Sequence, residues 1–249
     1  MISKAKIKYI KSLEHKKFRK IEQVFVAEGP KVVGDMMQTA TPKTIVAVQE
    51  WFDRHHVSSE TEPIVVREDE LAKTSFLQHP QEVLAVFPTP PFTASPTNQL
   101  TGLEIALDGV QDPGNLGTII RIADWFGIEH IYCSTDTADA FSPKTVQATM
   151  GSLSRVTITY GDLAERLASL PPTTPIYGTM LDGDNLYEQS LATHGVIVMG
   201  NEGNGISPRI KELVNRKLLI PNFPKGRKTA DSLNVAIATA IVCAEFRRR

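Results

Sequence analysis

Cysteine is scarce in this chain: Cys133 and Cys243 are the only two in 249 residues. One falls in an expected strand and the other in an apolar helix, so two buried thiols are expected rather than a disulfide. The six histidines (His15, His55, His56, His79, His130 and His194) are scattered. None has the helical or cysteine-paired spacing of a metal ligand, and no metal site is expected. No apolar run approaches the roughly 18 residues that a membrane helix needs, and the first residues lack the apolar core of a secretion signal. A cytoplasmic protein with no membrane partner is the expectation. A Gly-x-Ser-x-Gly nucleophile elbow is missing, and no Gly-Lys-Ser/Thr follows any glycine-rich loop, which removes two common catalytic designs. The formal net charge is only −1, so nothing in the total points to a polyanion.

The distribution of charge does. Residues 1–20 carry eight Lys/Arg, ending in Lys16, Lys17, Arg19 and Lys20, against the single acid Glu14. A second cluster is Lys225, Arg227 and Lys228, and the sequence closes on Arg247, Arg248 and Arg249. Local basic patches on a near-neutral protein are a polyanion footprint, with a solvated helix face as the usual alternative.

Periodicity gives an α/β protein in two parts. Residues 3–20 read as one basic amphipathic helix with Ile7, Ile10, Leu13 and Phe18 inward. Strands are expected at Gln23–Glu28, Thr44–Val48, Ile64–Arg67 and Val83–Phe87, with helices at Lys31–Gln38 and Glu68–Phe76, making a small α/β domain over 1–88. Residues 89–100 are rich in proline and small polar residues and read as a linker. From 101 onward strands and helices alternate again. Strands are expected at Leu103–Leu107, His130–Ser134, Val156–Tyr160, Ile176–Met180, Val196–Met199 and Leu218–Ile220. Helices are expected from Leu116 to a stop at Gly127, and at Pro143–Leu153, Asp162–Leu170, Ser207–Asn215 and Ser232–Phe246. The last is apolar on nearly every side, which suits burial, including burial at a subunit interface.

Three stretches carry the chemistry. In the first, Asp112-Pro113-Gly114-Asn115 opens a helix bearing Arg121 among isoleucines. Asn115 stands where a cap belongs, and Arg121 needs either an anionic ligand or a partner such as Asp124 at i+3. In the second, a short apolar strand ends in Gly200-Asn201-Glu202-Gly203-Asn204-Gly205, followed by Ser207-Pro208 as a helix start. Its glycine order differs from the dinucleotide loop, and Glu202 would repel phosphate, so a cation, amine or hydroxyl is the better ligand. In the third, Ile220-Pro221 leads through a basic stretch to Ser232-Leu233-Asn234. Ser232 or Asp231 can cap the last helix, while Asn234 within an apolar helix must find partners.

In this order, after a small α/β domain, these stretches resemble the SpoU/TrmH family of RNA 2′-O-ribose methyltransferases, of the SPOUT superfamily. The resemblance covers roughly residues 103–246. Residues 1–88 resemble the ribosomal-protein-like RNA-binding domain often found ahead of it, through Lys16-Lys-Phe-Arg-Lys20 and Val24-Phe-Val-Ala-Glu-Gly29. It implies a deep trefoil knot around a parallel sheet, S-adenosyl-L-methionine as cofactor, no metal, and a homodimer. By motif position Gly200, Ile220 and Leu233 would meet the cofactor through their backbone, with Met199, Asn201, Gly205 and Pro221 beside them. Asn115, Arg121, Glu202, Ser232 and Asn234 would line the catalytic pocket, with Glu202 holding Arg121. Lys16, Lys17, Arg19, Lys20, Lys225, Arg227 and Lys228 would contact RNA. This sequence departs from the family in the length of its third stretch, where Pro224–Lys228 is added. A separate RNA-binding domain favours ribosomal over transfer RNA as substrate. A transfer-RNA enzyme, a non-catalytic RNA-binding protein of the same fold, and a nucleotide-dependent small-molecule enzyme are the alternatives.

Overall fold

The computed structural model describes residues 2–90, 100–224, 227 and 230–248. The chain forms two compact units, Met1–Pro91 with Asp139–Ser154, and Phe92–Ala138 with Arg155–Arg249. The stretch expected as a linker lies mostly outside the described residues.

The first unit runs α1 (Lys4–Ser12), α2 (Lys16–Glu22), β1 (Val24–Glu28), α3 (Pro30–Met37), β2 (Thr44–Ala47), α4 (Gln49–Arg54), β3 (Glu62–Val65), α5 (Glu68–Thr74) and β4 (Val83–Pro88). Its sheet has the order β1-β4-β2-β3, with β4 antiparallel to both neighbours and β2 parallel to β3. Ile10 and Leu13 are fully buried against Val24, Val26, Leu84 and Val86. To this unit the chain later adds α7 (Pro143–Ala148), which packs on β1, and a short 3₁₀ turn at Ser152–Ser154, which packs on α3.

The single basic helix expected over 3–20 is instead two, and Arg19 is the reason. Its Nη1 donates to the carbonyls of Leu13 (2.7 Å) and Glu14 (2.6 Å), closing the end of α1, and its Nη2 pairs with Asp139 at 2.7 Å. Carbonyls at a helix end have no partner within the helix, and a guanidinium answers both their hydrogen-bonding need and the local negative dipole. Arg19 is therefore 5 % exposed, while Phe18 is 42 % exposed. Both expectations reverse: the arginine faces the interior and the phenylalanine the solvent. Lys16, Lys17 and Lys20 remain exposed.

In the second unit the elements are β5 (Leu103–Asp108), α6 (Pro113–Trp125), β6 (His130–Ser134), β7 (Thr157–Gly161), α8 (Leu163–Ala168), β8 (Ile176–Asn185), β9 (Gly195–Gly200), α9 (Pro208–Lys211), β10 (Arg216–Leu219) and α10 (Val235–Arg248). All strands are parallel, in the order β10-β8-β9-β5-β6-β7. Such sheets read as near-continuous apolar runs because both faces are covered, and β5 and β9 do so. β8 continues past the expected Met180 because its polar outer half pairs with β10, Leu218 opposite Asp184 and Leu219 opposite Asn185. Leu163, Leu167 and Leu170 pack with Ile206 and Ile210 against Ala106, Val196 and Val198 of the sheet.

Helix α6 buries Leu116, Ile119, Ile120 and Ala123, the stripe expected from sequence, and Gly127 ends it at φ +62°. α10 lies beside it and runs the same way. Their first turns meet through Asn115 and Asn234, and at the far end Arg247 donates to the carbonyls of Phe126 (2.8 Å) and Gly127 (3.0 Å). Cys133 and Cys243 are free and buried, and burial pushes both thiols up, that of Cys243 to about 12. Among the described residues no helix is long and apolar enough to cross a membrane.

Candidate active site

The strand order reverses between β9 and β5, so their carboxyl ends open the crevice where parallel α/β sheets bind ligands. Register places Asp108 beside Gly200, and the two loops leave the sheet side by side. They are cross-braced. Asp108 Oδ2 accepts the Ser207 N–H at 2.6 Å, and Asn201 Nδ2 donates to the Gly109 carbonyl at 2.7 Å. Gly109 in turn donates its N–H to Ser134 Oγ at 2.9 Å, which ties in the end of β6. Ser207 caps α9 by position only, with no side-chain bond of its own.

The glycine loop is a closed ring. Asn201 and Gly205 exchange both backbone hydrogen bonds, at 3.0 and 2.9 Å. Asn201 Oδ1 accepts from the N–H groups of Gly203 (2.9 Å) and Asn204 (3.0 Å). Asn201 thus shapes the loop with its backbone and side chain alike. A Cβ on Gly200 would stand 2.3 Å from the Gly205 carbonyl carbon and the Ile206 nitrogen, so glycine is required there for the loop's own closure. Met199 is buried beneath, its sulfur 3.6 Å from Thr179 Oγ1.

One run of hydrogen bonds joins all three sequence stretches. The Asn234 Oδ1 accepts the N–H groups of Ala236 (3.0 Å) and Ile237 (3.2 Å), capping α10. That leaves its Nδ2 to donate to Asn115 Oδ1 at 2.9 Å. Asn115, its oxygen so occupied, turns its Nδ2 to Glu202 Oε1 at 2.9 Å. Each amide orientation is fixed by the one before it, starting from a helix end whose N–H groups can only donate. Asn115 is free for this because Asp112, not Asn115, caps α6, accepting the Asn115 N–H at 2.8 Å. Likewise Asn234 caps α10, not Ser232 or Asp231, and it is exposed rather than buried in the helix.

Arg121 stands six residues along α6 from Asn115, about 9 Å at 1.5 Å per residue. It is exposed and, among the described residues, has no hydrogen-bond or ion-pair partner. The expected alternative partner, Asp124, is held by Arg155 at 2.8 Å. The expected Glu202 pair is not formed either, since Glu202 bonds Asn115. Ile220 and Pro221 are half-buried at the end of β10, and Ser232 and Leu233 are exposed ahead of Asn234. Arg227 is exposed, with Asn222 Nδ2 donating to its carbonyl at 3.3 Å. Lys225 and Lys228 lie outside the described residues. Among the described residues no cluster of His, Cys, Asp and Glu is arranged to hold a metal ion.

Glu202 is exposed and its Oε1 accepts from the neutral Asn115 amide, so its charge is unneutralised among the described residues and suits a cation or a hydroxyl donor. The structure brings Asn115, Glu202 and Asn234 into one network and leaves Arg121, Ser232 and Leu233 outside it. Sequence reading missed Asp108 and Asp112, whose position at a strand end and three residues before Asn115 was the available signal.

Two family models match the chain: the SpoU rRNA Methylase family over residues 102–244, and the MRM3-like substrate binding domain over residues 4–85. The chain is 29% identical to the 23S rRNA (guanosine(2553)-2'-O)-methyltransferase RlmP of Bacillus subtilis, over 97% of this chain and 96% of that protein. Among solved structures, a Porphyromonas gingivalis protein assigned to the TrmH family is 42% identical with a TM-score of 0.90, covering 100% of this chain and 99% of that one. An AdoMet-bound rRNA methyltransferase from Sinorhizobium meliloti is 31% identical with a TM-score of 0.88, covering 100% and 96%. With its three motif loops gathered at one sheet edge and more than half of its length matched, this chain belongs to the SpoU rRNA methylase family.

Proposed function

We propose that this protein transfers the methyl group of S-adenosyl-L-methionine to a ribose 2′-hydroxyl of ribosomal RNA. The observation that carries the reading is the Glu202–Asn115–Asn234 network, which locks the loops after β5 and β9 to the segment after β10. When bound, the cofactor supplies a methyl group already activated by its sulfonium. What the chain must add is alignment and relief of the hydroxyl's proton. Gly200, Gly205, Ile220, Pro221 and Leu233, with Met199 and Asn201 shaping the floor, form the cofactor loops. Glu202 faces the cationic end of the pocket, held in place by Asn115. Arg121, exposed and without a partner among the described residues, takes the RNA phosphate and stabilises negative charge on the attacking oxygen; a guanidinium stays protonated and is no base. Ser232 and Asn234 line the same pocket.

Finer features complete the reading. α10 returns from the edge strand β10 to lie along α6, which supports a trefoil-knotted path. α6 and α10 leave Trp125 (84 %) and Ile237 (55 %) exposed, apolar side chains that a second copy would cover in a homodimer. The first unit serves as a ribosomal-protein-like RNA-binding domain, with Lys16, Lys17 and Lys20 on its surface and Arg227 adding charge from the second unit. The protein works in the cytoplasm. Isothermal calorimetry with S-adenosylmethionine and methyl transfer to protein-free ribosomal RNA test the reading. Arg121→Ala should lower kcat by roughly a hundredfold or more with cofactor binding intact. No cofactor binding by the wild-type protein, or full activity in the variant, would overturn the assignment or the role of Arg121 respectively.

A further inference from the structure

The inverted burial in α2 leaves a feature that nothing in the catalytic site uses. Arg19 points inward, bound to two carbonyls and to Asp139. The helix is thereby fixed with Phe18 (42 %) and Ile21 (63 %) in solvent, three residues apart and so on one face. Lys16, Lys17 and Lys20 are exposed around them, and among the described residues none has a carboxylate partner. A single exposed apolar side chain is ordinary, but two on one helix turn rimmed by cations form a patch of the kind that marks an interaction site. Here a buried guanidinium, its Nε without a partner, holds them out. An aromatic ring set among unpaired lysines is the arrangement that takes an unpaired base on its face and the adjoining phosphates on its charges.

We propose that α2 is a nucleobase-stacking surface for single-stranded or looped RNA, with Phe18 under the base, Ile21 extending the apolar floor and Lys16, Lys17 and Lys20 on the backbone phosphates. The proposal deepens the RNA-modifying reading and rests on it for the partner, an RNA with unpaired bases rather than a regular duplex. Arg19 acts only as the anchor that sets the helix's rotation.

The test uses the full chain, a fluorescein-labelled oligo(A) strand, and the same strand paired with oligo(U), followed by fluorescence anisotropy. Phe18→Ala and Phe18→Leu should each weaken single-strand binding about tenfold, and Phe18→Trp should restore it, since stacking needs a ring and not bulk alone. Duplex binding should hardly change. The salt slope should stay constant in the Phe18 variants and fall by about 0.7 for each phosphate contact removed when Lys16, Lys17 and Lys20 become Gln. Equal binding by Phe18→Leu and wild type would overturn stacking. A Phe18→Ala protein that binds RNA normally but elutes at a smaller size on gel filtration would overturn it too, marking the face as a self-association surface. Cofactor calorimetry on the same proteins is read separately: wild type without cofactor binding defeats the methyltransferase reading while leaving the stacking result to stand on its own.

Discussion

Asn234 has two duties that one substitution separates. Its oxygen caps α10 and its Nδ2 orients Asn115. In Asn234→Asp the carboxylate still accepts from Ala236 and Ile237, and a negative charge at a helix start adds about 0.3–1 kcal/mol. Melting temperature should hold or rise. The donor to Asn115 is gone, however. Asn115 then either faces an acceptor with its own oxygen or flips and turns that oxygen on Glu202. Either way one hydrogen bond of the relay is lost and an amide oxygen is left facing a carboxylate, about 1–3 kcal/mol, which at about 1.4 kcal/mol per tenfold predicts a roughly five- to hundredfold drop in kcat/KM. Asn234→Ala loses the cap as well, costing about 1 kcal/mol and roughly 2–4 °C in Tm for a chain of this size. Differential scanning calorimetry and tritiated methyl transfer to ribosomal RNA measure the two quantities. An Asn234→Asp enzyme within about twofold of wild-type kcat/KM would refute the amide relay as a positioning device.

Two further predictions follow from local geometry. Gly200→Ala should abolish cofactor binding by calorimetry, because its Cβ meets backbone at 2.3 Å, whereas Gly203→Ala, whose Cβ would meet only Asn201 Oδ1 at 3.5 Å, should bind normally. Burial raises the Glu28 carboxyl above its ordinary 4.5, against lowering by the Ser75 and Phe76 hydrogen bonds and by Lys11; the folded state therefore holds this proton more tightly than the unfolded one, and its contribution to stability is lost as pH rises above 4.5 through the raised value. Glu28→Gln should flatten the fall in urea midpoint as pH rises above 4.5, and an unchanged pH profile would remove Glu28 from that dependence.

Much of the second unit could be read from the chain because its signals are local. The α6 stripe, the Gly127 stop and the apolar β5 and β9 depend on spacing within a dozen residues. The three motif loops were legible as loops for the same reason. What joins them was not. The Asn115–Glu202 and Asn115–Asn234 bonds span 87 and 119 residues, and no pattern in sequence reports them. Caps were misassigned by up to three residues because Asp112 and Asn115, or Ser232 and Asn234, are equally good capping types, and tertiary contacts choose between them. Charge misled at Arg19, where a cation in a basic run was read as surface although two orphan carbonyls and Asp139 drew it inward. Polarity misled at β8, where Leu181–Asn185 looked like loop yet pairs with β10. The transfer of Asp139–Ser154 to the first unit has no compositional mark at all.

The paired helices α6 and α10 have a consequence for biosynthesis. One begins at Pro113 and the other at Val235, so their contact is among the most non-local features of the fold. Contacts of such separation form slowly, because the loop between them must be ordered before they give any return. A nascent chain that has emerged only as far as α9 already carries Asn115, Arg121 and Glu202, but Asn115 still lacks the amide that orients it. On the proposed reading, catalytic competence therefore arrives only after α10 has cleared the ribosome, and a chain halted before Asn234 would be inert.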